Sequence, residues 1–257
     1  HRNLHSFPTR RSSDLNLLKK NSNVITDINI PQYKTIKNIA KKKHQKIFTI
    51  GSKKSYLELT KHKYIDDKQL FEIKYKNKVY DITVNLIGKI QIKNVLMAMI
   101  AAEKSNIKFE KIIKSIHKIK PINGRIEKIG YLKNSSKVIL DYAHTPEALS
   151  SCLQNLEQQY KNRKIAIVFG CGGDRDKSKR SKMGKIANKF CDKIYLTDDN
   201  PRFENPKKIR LSIKKSINKT KLYEIANREK AISNAIQNLN SGEILLVAGK
   251  GDRKSVV

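Results

Sequence analysis

Four short stretches hold most of the residues in this chain whose types and spacing could do chemistry. They are Asp141 to Pro146 (Asp-Tyr-Ala-His-Thr-Pro), Gly170 to Asp176 (Gly-Cys-Gly-Gly-Asp-Arg-Asp), Asp198 to Arg202 (Asp-Asp-Asn-Pro-Arg) and Gly249-Lys250-Gly251. Gly170, Gly172 and Gly173 would let backbone approach a ligand closely, with Asp174, Arg175 and Asp176 supplying charge, although tight turns use the same pattern. Arg175 and Arg202 stand out because the chain has 44 lysines and 11 arginines. A guanidinium fork suits bidentate recognition of carboxylate or phosphate, the alternative being a surface salt bridge. Pro201 restricts the backbone around Asp199, Asn200 and Arg202, and an amide beside a guanidinium suits the zwitterionic head of an amino acid. His144 could move a proton, or serve as a structural or nucleotide-contacting group. Lys250 between two glycines resembles the tail of a phosphate loop, yet the G-x-x-x-x-G-K-[ST] spacing occurs nowhere in the chain. Cys152, Cys171 and Cys191 are far apart and form no C-x-x-C pair, which supports neither a disulfide framework nor a zinc site and leaves Cys171 as the one loop thiol.

Each of these stretches follows an apolar run that must position it. In the second half, strand-like runs at Val138 to Tyr142, Ile165 to Phe169, Lys193 to Thr197, Lys221 to Ile225 and Ile244 to Val247 alternate with helical patterns at Pro146 to Tyr160, Ser181 to Phe190, Lys207 to Asn218 and Arg228 to Leu239. Strict alternation predicts a parallel, doubly wound α/β sheet, in which ligands bind outside the carboxyl ends of the strands. Thr145 before Pro146 is the expected N-cap of the first of those helices. The first half predicts a β-α-β unit over Val24 to Ile50, a hairpin around Asn77, and two helices at Ile92 to Lys104 and Phe109 to Ile119. Pro121, Asn123 and Gly124 mark the expected boundary, giving domains at 16–122 and 123–251.

Composition narrows the function classes. The longest apolar run, Val95 to Ala102, is far below the roughly 18 residues of a membrane span, so no membrane insertion is expected. The formal charge of +32 invites a nucleic-acid reading. The lysines, however, are spread over nearly every helical segment and do not interleave with aromatics along one face, as a stacking platform requires. Abundant Lys, Ile and Asn also match A/T-rich codons, so no specific nucleic-acid partner is expected. The ends differ from the rest. Thr9 to Leu15 can be back-translated as ACA CGA CGC TCT TCC GAT CT, whose reverse complement encodes Asp-Arg-Lys-Ser-Val-Val in another frame, the residues of 252–257. That string resembles a sequencing-library adapter, and residues 1–15 and 252–257 are expected to be adapter-derived.

Taken in order, Gly124-Arg125, the Asp141 stretch, Phe169 to Arg180, Thr197 to Arg202 and Val247 to Gly251 resemble the Mur ligase family, in its diaminopimelate-adding branch. The resemblance implies the rear part of a central ATPase domain followed by a Rossmann-like C-terminal domain with a mainly parallel sheet. It implies an ATP- and Mg²⁺-dependent ligase acting through an acyl phosphate on UDP-N-acetylmuramoyl-dipeptide and meso-diaminopimelate, as a monomer in the cytoplasm. Asn94, Arg125, Asp141 and His144 would then lie around the nucleotide. Arg175, Asp199, Asn200, Pro201, Arg202 and Gly249 would hold diaminopimelate, Arg202 taking the distal carboxylate that lysine lacks. The family's Gly-Lys-Thr loop, magnesium ligands and carbamylated lysine would precede Asn16, so the chain alone is expected to be inactive. A lysine-adding or folylpolyglutamate-type ligase, and a non-catalytic basic binding module, are the competing readings.

Overall fold

The computed structural model describes residues 19–132 and 134–249. The adapter-like ends and the Lys250-Gly251 pair lie outside the described residues. Two compact units divide between Ile119 and Lys120.

In the first unit, β1 (Asn23–Asp27), α1 (Tyr33–Lys42) and β2 (Lys46–Gly51) form the expected parallel β-α-β arrangement. Three further strands, β3 (Leu57–Ile65), β4 (Lys68–Tyr75) and β5 (Lys78–Val84), make an antiparallel meander, so the sheet is mixed and runs β1-β2-β3-β4-β5. The β3 strand is absent from the sequence reading. Its middle, Thr60 to Lys63, is polar or charged, so no apolar alternation announces it. The helices α2 (Lys89–Lys104) and α3 (Phe109–Ser115) close the core, where Ile92, Leu96, Met99 and Ile100 pack with Phe71, Ile73, Phe109 and Ile112. At the start of α2, fully buried Gln69 donates to the carbonyls of Leu86 (2.7 Å) and Gly88 (3.1 Å). Buried backbone carbonyls need such partners where a strand gives way to a helix.

The second unit contains β6 (Glu127–Tyr131), β7 (Lys137–Asp141), α4 (Pro146–Gln159), β8 (Ile165–Phe169), α5 (Ser178–Phe190), β9 (Lys193–Leu196), α6 (Pro206–Lys214), β10 (Leu222–Glu224), α7 (Arg228–Gln237) and β11 (Ile244–Ala248). The sheet order is β10-β9-β8-β11-β7-β6, parallel except for β6. Every residue of β8 (Ile-Ala-Ile-Val-Phe) and β11 (Ile-Leu-Leu-Val-Ala) is buried, as central strands covered on both faces require. β6 was not anticipated. It pairs antiparallel with a register shift at Lys128/Gly130, and its Glu-Lys-Ile-Gly-Tyr sequence carries little β signal. Helix starts follow local chemistry: Thr145 accepts from the Ala148 amide and Asn205 from Lys207 and Lys208, each with proline next in the chain. The chain enters β11 last, between β8 and β7, so the ends of these three strands flank the point where the strand order reverses. No helix among the described residues is long and apolar enough to cross a membrane.

Candidate functional site

Beyond the carboxyl ends of β8 and β9, the glycine-rich loop and the Asp198 to Arg202 turn are fastened to each other. The Gly173 amide donates to the Asn200 carbonyl at 2.9 Å, and Arg202 Nη1 donates to the Gly173 carbonyl. Asp174 and Glu204 complete a clasp: the Phe203 amide donates to Asp174 Oδ2 at 3.0 Å, and the Asp174 amide to Glu204 Oε1 at 2.7 Å. A Cβ on Gly170 would collide with the Thr197 carbonyl oxygen, and one on Gly173 with that of Pro201. The missing side chains of Gly170 and Gly173 therefore admit a neighbouring loop.

Arg202 is held at φ +50°, a left-handed conformation that side chains other than glycine rarely adopt, while its amide donates to Asn200 Oδ1 at 3.2 Å. Such strain persists only where the surroundings enforce it. Arg180 supplies part of that enforcement: its buried guanidinium donates from Nη2 to Glu204 Oε1 at 2.8 Å. The Arg180 hydrogen bond, with help from the Asp174 amide, lowers the Glu204 pKa to about 2. Arg175 is exposed and its side chain makes no hydrogen bond or ion pair among the described residues.

A second cluster forms where the chain enters the sheet through β6 and β7. Asp141 is buried, and both carboxylate oxygens are occupied, Oδ1 by the Ala143 amide and Oδ2 by the Ile126 amide, each at 2.8 Å. Burial raises its pKa, while the two amides and the charge of Arg125 work against that rise. Asp141 thus fastens the Gly124 to Glu127 segment to β7, and the Tyr142 amide adds a bond to the Gly124 carbonyl at 2.9 Å. On the exposed side the Arg125 guanidinium lies 5.5 Å from the Tyr142 ring centre, and the Tyr142 and His144 rings meet edge to face at 4.8 Å. Arg125, Tyr142 and His144 form one row, of which sequence reasoning singled out only the first and last. The Gly249 amide donates to the Asp141 carbonyl at 3.1 Å with φ +97°, so the end of β11 joins this cluster.

Asn94 belongs to the first unit. It is exposed on α2 and donates to Gln91 Oε1 at 3.3 Å, while its neighbour Lys93 pairs with buried Asp27 at 2.6 Å. Cys171 is buried and its thiol pKa is pushed up to about 11 by burial, which removes it as a nucleophile. Among the described residues no group of three or more His, Cys, Asp or Glu could hold a metal ion. Sequence reasoning missed Arg180, Arg210 and Arg228. Arg210 pairs with Asp198 and, at 3.0 Å, with Glu224, bracing the turn from behind. The preference for lysine that drew attention to Arg175 and Arg202 applies equally to these three.

The family match decides the assignment. Residues 15–102 match the Mur ligase middle domain, and residues 124–251 match the Mur ligase glutamate ligase domain. The chain belongs to the Mur ligase family. It is similar to the UDP-N-acetylmuramoyl-L-alanyl-D-glutamate–2,6-diaminopimelate ligase of Rickettsia typhi, with 39% identity over 228 residues, covering 88% of this chain and 45% of that protein. The ligase of the same name from Chelativorans is 34% identical over 235 residues, covering 91% of this chain and 48% of its own. The chain thus spans about half the length of the curated relatives it matches. A solved structure of a protein of that name superposes with a TM-score of 0.65 at 26% identity, covering 98% of this Mur ligase chain and 53% of its own. Mycobacterium tuberculosis folylpolyglutamate synthase gives a TM-score of 0.78 at 15% identity, covering 98% of this chain and 59% of its own. That likeness shows the fold alone, since the same backbone carries different substrates.

Proposed function

We propose that this Mur ligase chain is part of an enzyme that joins meso-diaminopimelate to UDP-N-acetylmuramoyl-L-alanyl-D-glutamate in cytoplasmic peptidoglycan precursor synthesis. The observation that carries the reading is the strained Asp199-Asn200-Pro201-Arg202 turn clasped by the Gly173-Asp174 loop at the sheet edge. Arg202 commits one guanidinium nitrogen to the Gly173 carbonyl, which orients the remaining donors for a carboxylate. Asp199 supplies the opposite charge for an ammonium, and the Asn200 amide and Gly249 backbone complete an amino-acid head site, with Arg175 at its rim.

In the second unit the nucleotide contacts would come from Arg125, Asp141 and His144, and in the first unit, taken by itself, from Asn94. Asp141 contributes by holding Arg125 in place, because its own oxygens are already occupied. In the reaction, the γ-phosphoryl group of ATP passes to the substrate carboxylate and ADP departs. The diaminopimelate amine then attacks the acyl carbon; phosphate leaves with the C–O electron pair and the amide nitrogen loses a proton. The Mg²⁺ implied by the family has no donor set among the described residues, and none of their side chains is assigned to it.

Calorimetric titration of the chain with meso-diaminopimelate, L-lysine and L-glutamate tests the reading. Diaminopimelate should bind preferentially, and Arg202→Ala should cost about 1.5–3 kcal/mol, roughly 10- to 150-fold in affinity. Lysine binding as tight as diaminopimelate binding, or an Arg202→Ala chain that still prefers diaminopimelate, would overturn it.

A further inference from the structure

Arg228 occupies a position where the fold gains little from a cation. It is the first residue of α7, behind the N-cap Asn227, where the helix dipole disfavours positive charge. Its Nε and Nη1 are shielded from solvent and have no hydrogen-bond partner among the described residues. Burial pulls the guanidinium pKa below the usual arginine range, and the nearby Asp199 charge opposes that fall. Buried donors without partners are rare in native proteins and call for an explanation.

The explanation lies in what surrounds it. Arg228 Nη2 donates to the Ala248 carbonyl at 2.9 Å, the last residue of β11 and the one before Gly249. Two residues upstream of Arg228, the Ala226 carbonyl accepts from the Asp198 amide and from Thr197 Oγ1, both at 3.0 Å. The segment carrying Arg228 is therefore bonded to the end of β9 on one side and the end of β11 on the other. Asp199 starts the turn at the first of these ends, and Gly249 follows the second.

We infer that Arg228 is a positioning residue, which holds the Asp199 to Arg202 turn and the Ala248-Gly249 strand end in one fixed relation, so that the two halves of the amino-acid site are presented together. The assignment of an amino-acid ligand to that site rests on the function proposed above; the coupling of the two strand ends does not. A purely structural arginine would stabilise the fold. Here the desolvated, partly unpaired guanidinium costs stability, so an apolar side chain of similar length should leave the melting temperature unchanged or raise it.

Amide hydrogen exchange on the ligand-free chain, its Arg228→Met variant and its Arg228→Lys variant tests the coupling. Arg228→Met should accelerate exchange at Asp198 and Gly249 by tenfold or more with β8 amides unchanged, and without lowering the melting temperature. Arg228→Lys, which keeps the charge and one donor, should restore most of the protection. Unchanged protection at both ends, or a general loss of protection with a lower melting temperature, would overturn the inference. Titration with meso-diaminopimelate separates the two ideas. Tenfold weaker binding by Arg228→Met supports both, and measurable binding of equal affinity by wild type and variant overturns the positioning role. Altered exchange in Arg228→Met with no binding by wild type supports the coupling and rejects the substrate.

Discussion

At the residue scale, the site depends on side chains that hold other side chains. Arg202 was legible because arginine is scarce and proline precedes it, whereas its left-handed backbone and its bond to Gly173 come from a loop 29 residues away in sequence. Glu204 was not legible, since a single glutamate beyond a turn looks like any solvated carboxylate. Its depressed pKa has a direct consequence for stability. Folded Glu204 titrates near 2, against an ordinary value of 4.5, so its contribution is complete above about pH 5 and is lost as pH falls towards 2. The melting temperatures of wild type and Glu204→Gln should therefore diverge as pH rises through that window and then run parallel. Curves parallel throughout would mean that the Arg180 and Asp174 bonds add nothing in solution.

At the element scale, the helices and the parallel strands of the second unit were readable to within a few residues because local signals agreed. Buried parallel strands are short apolar runs, and Thr145-Pro146 carries its own helix start. The two missed strands, β3 and β6, exist because partners pair with them, and pairing leaves no mark in a polar or glycine-interrupted sequence. Loop docking was equally invisible. Gly173→Ala should force the loop away from Pro201 at a cost of about 1–3 kcal/mol, by analogy with overpacked cores. Urea unfolding measures that cost, and a neutral result would show that the clasp yields easily. By the same method Thr145→Ala should cost about 1 kcal/mol through loss of its bond to the Ala148 amide.

At the scale of the whole molecule, each unit has its own core, one around Ile92, Leu96 and Phe109 and another around Val168, Tyr195 and Leu245. Separate cores should unfold separately. Thermal unfolding followed by calorimetry should show two transitions, and limited trypsin digestion should cut first within residues 111–120, near the division at Ile119. One coincident transition by every probe would contradict this. The sequence by itself determined the alternation of strands and helices, the polar loops that follow the strands and the resemblance to the Mur ligases, because each is written in local residue order. Only the tertiary structure decided that Asp141 spends both carboxylate oxygens on backbone amides, that the glycines admit a loop, and that Arg180 and Arg228 stand behind the site. Those roles come from contacts between residues distant along the chain, and the free energy of such a contact depends on what surrounds it.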